Sequence, residues 1–363
     1  LLQEIDDAMA LTKLDRYVLL GSEVEVKQLL TVLQSEGYTV EFCIIQETQA
    51  AQIAGIPVYR LFDEAIRTKP KNNLTLIISY FGYKIDYEKI NISFAELGFT
   101  RFITYWDVYS LLYERMGANY WLTDPHFYDD KRPAIEEVGT LFADETSGKL
   151  FKNLISGRKN LDFSKIIRTN SMKDQYFPGD VPELLFSNFI DCGAYTGDTY
   201  LECLKRNKPL LTYIAFEPDE NNYKKLKTAI TRHSSPSSIA LAFPCGVWSS
   251  TRKLCFSENG ELDSKVNENG KSIIQCVAID EAIAGLRVDS LKMDIEGAEY
   301  EALLGAKDTI IANKSSLAIS IYHKPEDIFA IPLLIHSWFS KKKMYMRAHA
   351  LCGFELVLYV FPE

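Results

Sequence analysis

The chain has 363 residues, 47% of them hydrophobic and 25% charged, a globular composition at a length beyond the roughly 250–300 residues at which one core stops growing, so two domains are expected. Its formal net charge of −9 disfavours extended contact with a phosphate backbone and argues against nucleic acid as the main partner; the run Lys341, Lys342 and Lys343 reads as a solvated face. No apolar run is long enough to span a membrane, and the seven cysteines, with no C-x-x-C pair, argue against a disulfide framework or a zinc cluster and fit a reducing cytoplasm.

The sequence opens on Leu1, which leaves open whether a targeting segment lies upstream. Tyr17 to Leu20 reads as a strand. A helix is predicted from about Val24 to Glu36, with Val26, Leu29, Leu30 and Leu33 at helical spacing and Gly37 ending it. Thr39 to Ile45, Leu74 to Ser79 and Phe102 to Thr104 are further strands. This β-α-β rhythm implies a small, Rossmann-like α/β module over 1–124. Its only glycine turn is Gly21-Ser22-Glu23-Val24-Glu25, whose two glutamates would oppose a phosphate. The module is expected to position a substrate or to mediate assembly of a homo-oligomer. From 125 to 182 the rhythm breaks among Pro133, Gly139, Gly148, Gly157, Pro178 and Gly179, which reads as a helical connector or cap.

A second α/β domain is expected over 183–363. Phe189-Ile190 leads into Asp191-Cys192-Gly193-Ala194-Tyr195-Thr196-Gly197-Asp198 and then a helix. A strand, a glycine-bearing turn and a helix make a crevice at the carboxyl end of a sheet, where nucleotide cofactors bind. The pattern is not G-x-G-x-x-G. Asp191 and Asp198 would repel a pyrophosphate at the helix N-terminus, which disfavours a nicotinamide dehydrogenase. They suit a cofactor that carries an ammonium and a sulfonium, as S-adenosylmethionine does. Tyr213 to Phe216 is the next strand. It ends at Glu217-Pro218, where an acid can accept hydrogen bonds from ribose hydroxyls. After Ile239 to Phe243, two β-type runs fall near Lys253–Phe256 and Ile273–Ala278. Ser290 to Met293 then leads to Asp294-Ile295-Glu296-Gly297-Ala298-Glu299.

Asp294 continues a buried strand towards the crevice, and with Glu296 it is a candidate catalytic acid. Two carboxylates without a third ligand make a poor divalent-cation site, so no metal is expected. His323 ends the strand Leu317 to Ile321, and an imidazole titrating near neutral pH suits a general base. Met344 to His349 and Glu355 to Val360 form a terminal hairpin. Residues 345, 347 and 349 share one face of the first strand, which places Arg347 and His349 in an acceptor pocket.

These segments resemble the FkbM-type methyltransferases. The resemblance covers roughly Gln175 to Phe361. It rests on Asp191-x-Gly193-Ala194-x-x-Gly197-Asp198, Phe216-Glu217-Pro218, Lys292-Met293-Asp294-Ile295-Glu296-Gly297-Ala298-Glu299, Leu303-Leu304-Gly305-Ala306, Tyr322-His323-Lys324-Pro325-Glu326-Asp327 and Leu358-Tyr359-Val360-Phe361-Pro362. Gln175-Tyr176-Phe177 is similar to a segment that often precedes this domain, and Cys192 stands where the family commonly has an aliphatic residue. The resemblance implies a seven-stranded class I, Rossmann-like methyltransferase fold, S-adenosylmethionine as cofactor, and O-methylation of a hydroxyl on a sugar, a glycan or another natural product. Asp191, Gly193 to Asp198, Glu217 and Pro218 are then the cofactor residues, Asp294, Glu296 and His323 the catalytic ones, and Tyr176, Glu299, Arg347 and His349 the acceptor side. The alternative is a non-catalytic nucleotide-sugar-binding or scaffold protein with a relict methyltransferase domain.

Overall fold

The computed structural model describes residues 11–71, 73–82, 85–161, 170–233, 235, 238–256, 262–263 and 272–363. They form two compact units. One takes the chain up to Asn119, Thr123–Phe127 and the short piece that begins at Gly157. The other takes Tyr120–Leu122, Tyr128–Ser156 and the remainder of the chain to Glu363. Among the described residues no helix is long and apolar enough to cross a membrane.

In the first unit, strands β1 (Arg16–Leu20), β2 (Thr39–Ile44), β3 (Gln52–Ile53), β4 (Ile56–Tyr59), β5 (Leu74–Ile78) and β6 (Arg101–Thr104) form one sheet in the order β3-β4-β2-β1-β5-β6. All neighbours run parallel except β3 and β4. The central β1 is covered on both faces, which is why Tyr17 to Leu20 is continuously apolar. The helix Glu23–Ser35 buries Val26, Leu29, Leu30 and Leu33 and starts on a capping box between Ser22 and Glu25. Glu25 also accepts the backbone N–H of Phe81 at 2.8 Å. A carboxylate therefore ties the ends of β1 and β5 together at the place a phosphate would take in a dinucleotide fold.

The second unit is built on β7 (Asn188–Cys192), β8 (Thr212–Phe216), β9 (Ile239–Phe243), β10 (Gly246–Val247), β11 (Arg252–Phe256), β12 (Leu262–Asp263), β13 (Ser272–Val277), β14 (Ser290–Met293), β15 (Ser316–Ser320), β16 (Lys342–Ala348) and β17 (Leu356–Pro362). Seven of them make the main sheet, in the order β16-β17-β15-β14-β7-β8-β9. Only β17 runs antiparallel to its neighbours. The chain order reverses between β7 and β14, so the carboxyl ends of β7, β8 and β14 flank a topological switch point, the usual ligand position in such sheets. The two β-type runs between β9 and β14 belong to a separate small sheet, β10-β13-β11-β12, in which β11 and β13 pair antiparallel.

The segment between Tyr128 and Ser156 is an integral part of this unit. It carries the helix Arg132–Gly139 and the start of the helix Glu145–Asn160. Phe142 bridges to Met344, and the Ala143 N–H donates to the Met344 carbonyl. This packing corrects the reading of the β16 face. Arg347 is buried rather than open to an acceptor. Its guanidinium holds Asp144 at 2.6 Å, Asp180 at 2.7 Å and the Ser147 hydroxyl at 2.9 Å. His349 is buried as well, with one ring nitrogen 2.8 Å from the Tyr359 hydroxyl and the other 2.9 Å from the Ser171 carbonyl. The two side chains fasten Asp144, Ser147, Ser171 and Asp180 to the sheet.

Two outcomes follow. Arg347→Ala leaves the Asp144 and Asp180 carboxylates uncompensated, and because these are partly exposed the loss should fall near the lower end of the range for a broken buried pair, about 3 kcal/mol by urea denaturation. Burial holds the His349 pKa below its usual value. The unfolded chain therefore binds the extra proton, so this contribution is complete above about pH 6.5 and is lost as the pH falls below it. The drop in urea midpoint between about pH 7 and pH 5 should shrink in His349→Gln.

Candidate functional site

The site is organised by a lysine inside a buried strand. Lys292 lies opposite Asp191 in the parallel pairing of β14 with β7. Both side chains are buried, and Lys292 Nζ sits 2.8 Å from Asp191 Oδ1. That contact is a charge pairing rather than an aligned hydrogen bond, since Oδ1 has no hydrogen-bond partner. Asp191 Oδ2 accepts the Tyr213 hydroxyl at 2.8 Å, and Lys292 Nζ donates to the Gly193 carbonyl at 2.6 Å. Burial works to lower the Lys292 pKa, but the carboxylates of Asp191, Asp294 and Asp198 outweigh it and hold the ammonium charged. Asp191 was expected to face a cofactor. Its carboxylate instead points into the core and fixes the turn from beneath.

The turn itself is left-handed at three points, with φ of +74° at Gly193, +46° at Tyr195 and +87° at Gly197. At Gly193 a Cβ would lie 1.9 Å from the Asp294 carbonyl oxygen, so only glycine lets the ends of β7 and β14 approach this closely. The Gly193 and Ala194 N–H groups both donate to the Phe216 carbonyl. Tyr195 is exposed at the rim, and Asp198 opens the helix Asp198–Lys205 from an exposed position. Beside the turn, Glu217 is buried at the end of β8. One of its oxygens accepts the Tyr195 N–H at 2.8 Å and the other the Asp219 N–H at 2.9 Å. Each oxygen keeps a further lone pair. Burial raises the Glu217 pKa, so a donor arriving there meets an acceptor already withdrawn from water.

Past β14, Glu296 and Gly297 are also left-handed, at φ +55° and +90°. This sharp exit turns three carboxylates towards His323. Its Nδ1 is 2.9 Å from Glu299 Oε1, and its Nε2 is 3.6 Å from both Asp294 Oδ1 and Glu296 Oε2. Asp294 Oδ2 accepts the Tyr176 hydroxyl at 2.9 Å, which brings Tyr176 into the same cluster. Tyr322 packs against the imidazole with ring centroids 4.1 Å apart, and Tyr120 lies at 6.2 Å.

His323 departs from the role expected of it. Burial lowers its pKa, but Glu299, Asp294 and Glu296 together push it up to about 10. In this arrangement the imidazole is a cation at neutral pH, not a base poised near it. Nearby acids shift upward for the complementary reason. Burial, with Glu299 close by, pushes Asp327 up to about 8, and burial beside Asp294 pushes Glu355 up to about 7. Glu299 was expected on the acceptor side. It is fully buried, and its Oε1 accepts the Ile295 N–H at 2.8 Å.

Lys292, Tyr213, Tyr322, Asp327 and Glu355 were given no site role from the sequence. For Lys292 a signal existed: a lone charge inside the buried run Ser290 to Met293 must have a partner.

Residues 191–354 match the family model described as the Methyltransferase FkbM domain. A crystal structure of the methyltransferase FkbM from Methylobacillus flagellatus KT superposes with a TM-score of 0.75, at 19% sequence identity, over 96% of this chain and 90% of that one. At that identity the likeness shows the fold alone. No curated protein matches the chain. The part of the chain that matches this domain model sits on a Rossmann-like sheet.

The Gly193 geometry makes a comparison possible. Gly285 is also left-handed, at φ +78°, but has no atom within 4 Å of a Cβ position. Gly285→Ala should cost about 1–2 kcal/mol, the left-handed penalty alone. Gly193→Ala must also separate β7 from β14 and should lower the urea midpoint by at least twice as much.

Proposed function

We propose that the chain is an S-adenosylmethionine-dependent O-methyltransferase that acts on a hydroxyl of a sugar, glycan or other natural-product acceptor. The observation that supports this most directly is the pairing of the glycine turn with Glu217 across the ends of β7 and β8. A backbone that admits close approach and a buried carboxylate with spare acceptor capacity fit a cofactor bearing a ribose diol and positive charge. Gly193 to Gly197, Asp198, Glu217 and Pro218 would hold it. Asp191 contributes through Lys292 and the Gly193 carbonyl rather than by contact. The cofactor, when bound, supplies an electrophilic methyl group on its sulfonium.

The chain's own residues then have two tasks, alignment and handling of the acceptor proton. Alignment of two bound reactants can contribute as much as about 7–11 kcal/mol. Asp294 lies at the switch point and is partly exposed, so it can accept the hydrogen of an acceptor hydroxyl while the Tyr176 hydroxyl fixes its second oxygen. Glu296, half-exposed at the mouth, is placed to meet the same acceptor. His323 stabilises the negative charge of both carboxylates. A homo-oligomer, and a cytoplasmic setting, belong to this reading as expectations.

The test is calorimetric titration with S-adenosylmethionine and S-adenosylhomocysteine, with NAD as control. Both sulfur ligands should bind and NAD should not. Glu217→Ala should weaken them at least tenfold with the fold intact by circular dichroism. Binding of NAD alone, or of none of the three, would sink the reading.

A further inference from the structure

Around His323 the described residues gather more negative charge than one imidazolium can balance. Glu299 is 0% exposed and His323 5% exposed. Asp294, Glu299 and His323 each offer one donor atom, and these atoms all lie within 4.8 Å of one another. Glu296 Oε2 adds a fourth candidate, 3.6 Å from Nε2. The alignment inside the cluster is poor. Although Glu299 Oε1 is 2.9 Å from Nδ1, neither ring nitrogen of His323 has a hydrogen-bond partner, and Glu299 Oε2 has none either. Buried polar atoms are normally satisfied, so three orphaned donors and acceptors in one spot call for an occupant.

The geometry points to a divalent first-row metal ion held by His323 Nε2, Asp294 and Glu296, with Glu299 behind it on the Nδ1 side of the ring. Two donors each about 2.1 Å from one ion stand roughly 3.0–3.4 Å apart at octahedral or tetrahedral angles. The spacing between Nε2 and Asp294 Oδ1, 3.6 Å, closes to that with a small rotation. A set of carboxylate oxygens and one imidazole nitrogen suits manganese or zinc better than calcium, which takes six to eight oxygens. The ion would displace the imidazolium proton and bring its second positive charge to the buried carboxylates. Partial exposure of Asp294 and Glu296 gives it a way in. Set beside Asp294, it would act as a Lewis acid towards an acceptor hydroxyl. The inference rests on ligand geometry in the free protein and not on the cofactor reading.

The test uses the full chain stripped with chelator and titrated with manganese(II), with the free ion followed by electron paramagnetic resonance. One ion per chain should bind. Asp294→Asn and His323→Ala should weaken uptake at least tenfold, and Asp308→Asn, an exposed carboxylate on another helix, should not. No uptake of manganese or zinc at millimolar concentration by the folded wild-type chain would overturn the proposal, as would uptake that the two cluster variants leave unchanged. If His323→Ala fails to fold, cobalt(II) absorption of the wild-type chain decides. Bands of an ion with a nitrogen ligand, abolished by added zinc, support the site, and an unchanged aqueous cobalt spectrum refutes it. Metal uptake without S-adenosylmethionine binding, or the reverse, separates this inference from the proposed function.

Discussion

A lysine in a strand covered on both faces must find its counter-charge inside the protein, because an unpaired ammonium there would cost several kcal/mol. Lys292 finds it in Asp191, one strand away and in register. The pair does more than neutralise itself. The Tyr213 hydroxyl satisfies the second carboxylate oxygen, and the ammonium reaches on to the Gly193 carbonyl. Three adjacent strand ends, β7, β8 and β14, are thus locked to one glycine turn. The candidate crevice depends on that lock, because Gly193, Glu217 and Asp294 each directly follow a different one of those strands.

The same constraint explains why the two acidic clusters behave differently. Asp191 and its lysine form a pair that burial closes off from solvent. Asp294, Glu296 and Glu299 share one histidine among three carboxylates, and two of the three stay partly open to solvent. Closing the first cluster rigidifies the floor of the site. The second is left unbalanced, and an excess of buried negative charge attracts a positive group. The left-handed backbone at Glu296 is part of this arrangement. A strained position for a non-glycine residue, it turns Asp294, Glu296 and Glu299 to one side within six residues.

The first unit shows what happens when a similar topology is wired otherwise. Its β1 also ends in a glycine and a helix cap, but the third residue of that helix is Glu25, which accepts the Phe81 N–H across the sheet. The anion site of a dinucleotide fold is thereby filled by the protein's own carboxylate. The crevice becomes a structural tie, in keeping with the glutamates read there from the sequence.

Periodicity and turn residues placed the central strands of both large sheets, though not β3 and β4, because burial on two faces demands continuous apolar runs and glycine best tolerates left-handed turns. Tyr17 to Leu20 and Tyr213 to Phe216 are legible for the first reason, and Gly193 and Gly197 for the second. The motif order likewise marked the part of the chain that the FkbM domain model matches. Tertiary structure alone decided which way the charged side chains face. Arg347 lies on the alternating face that the sequence assigned to an acceptor, yet Asp144 and Asp180, far from it in the chain, cover it. Asp191 sits in the strongest motif, yet points inward to a lysine 101 residues along the chain. Glu299 and His323 meet only because β14 and β15 are neighbours. A residue's type and local spacing fix its backbone. The partner of a charge is set by strand order and by packing between distant segments, and no local pattern encodes that.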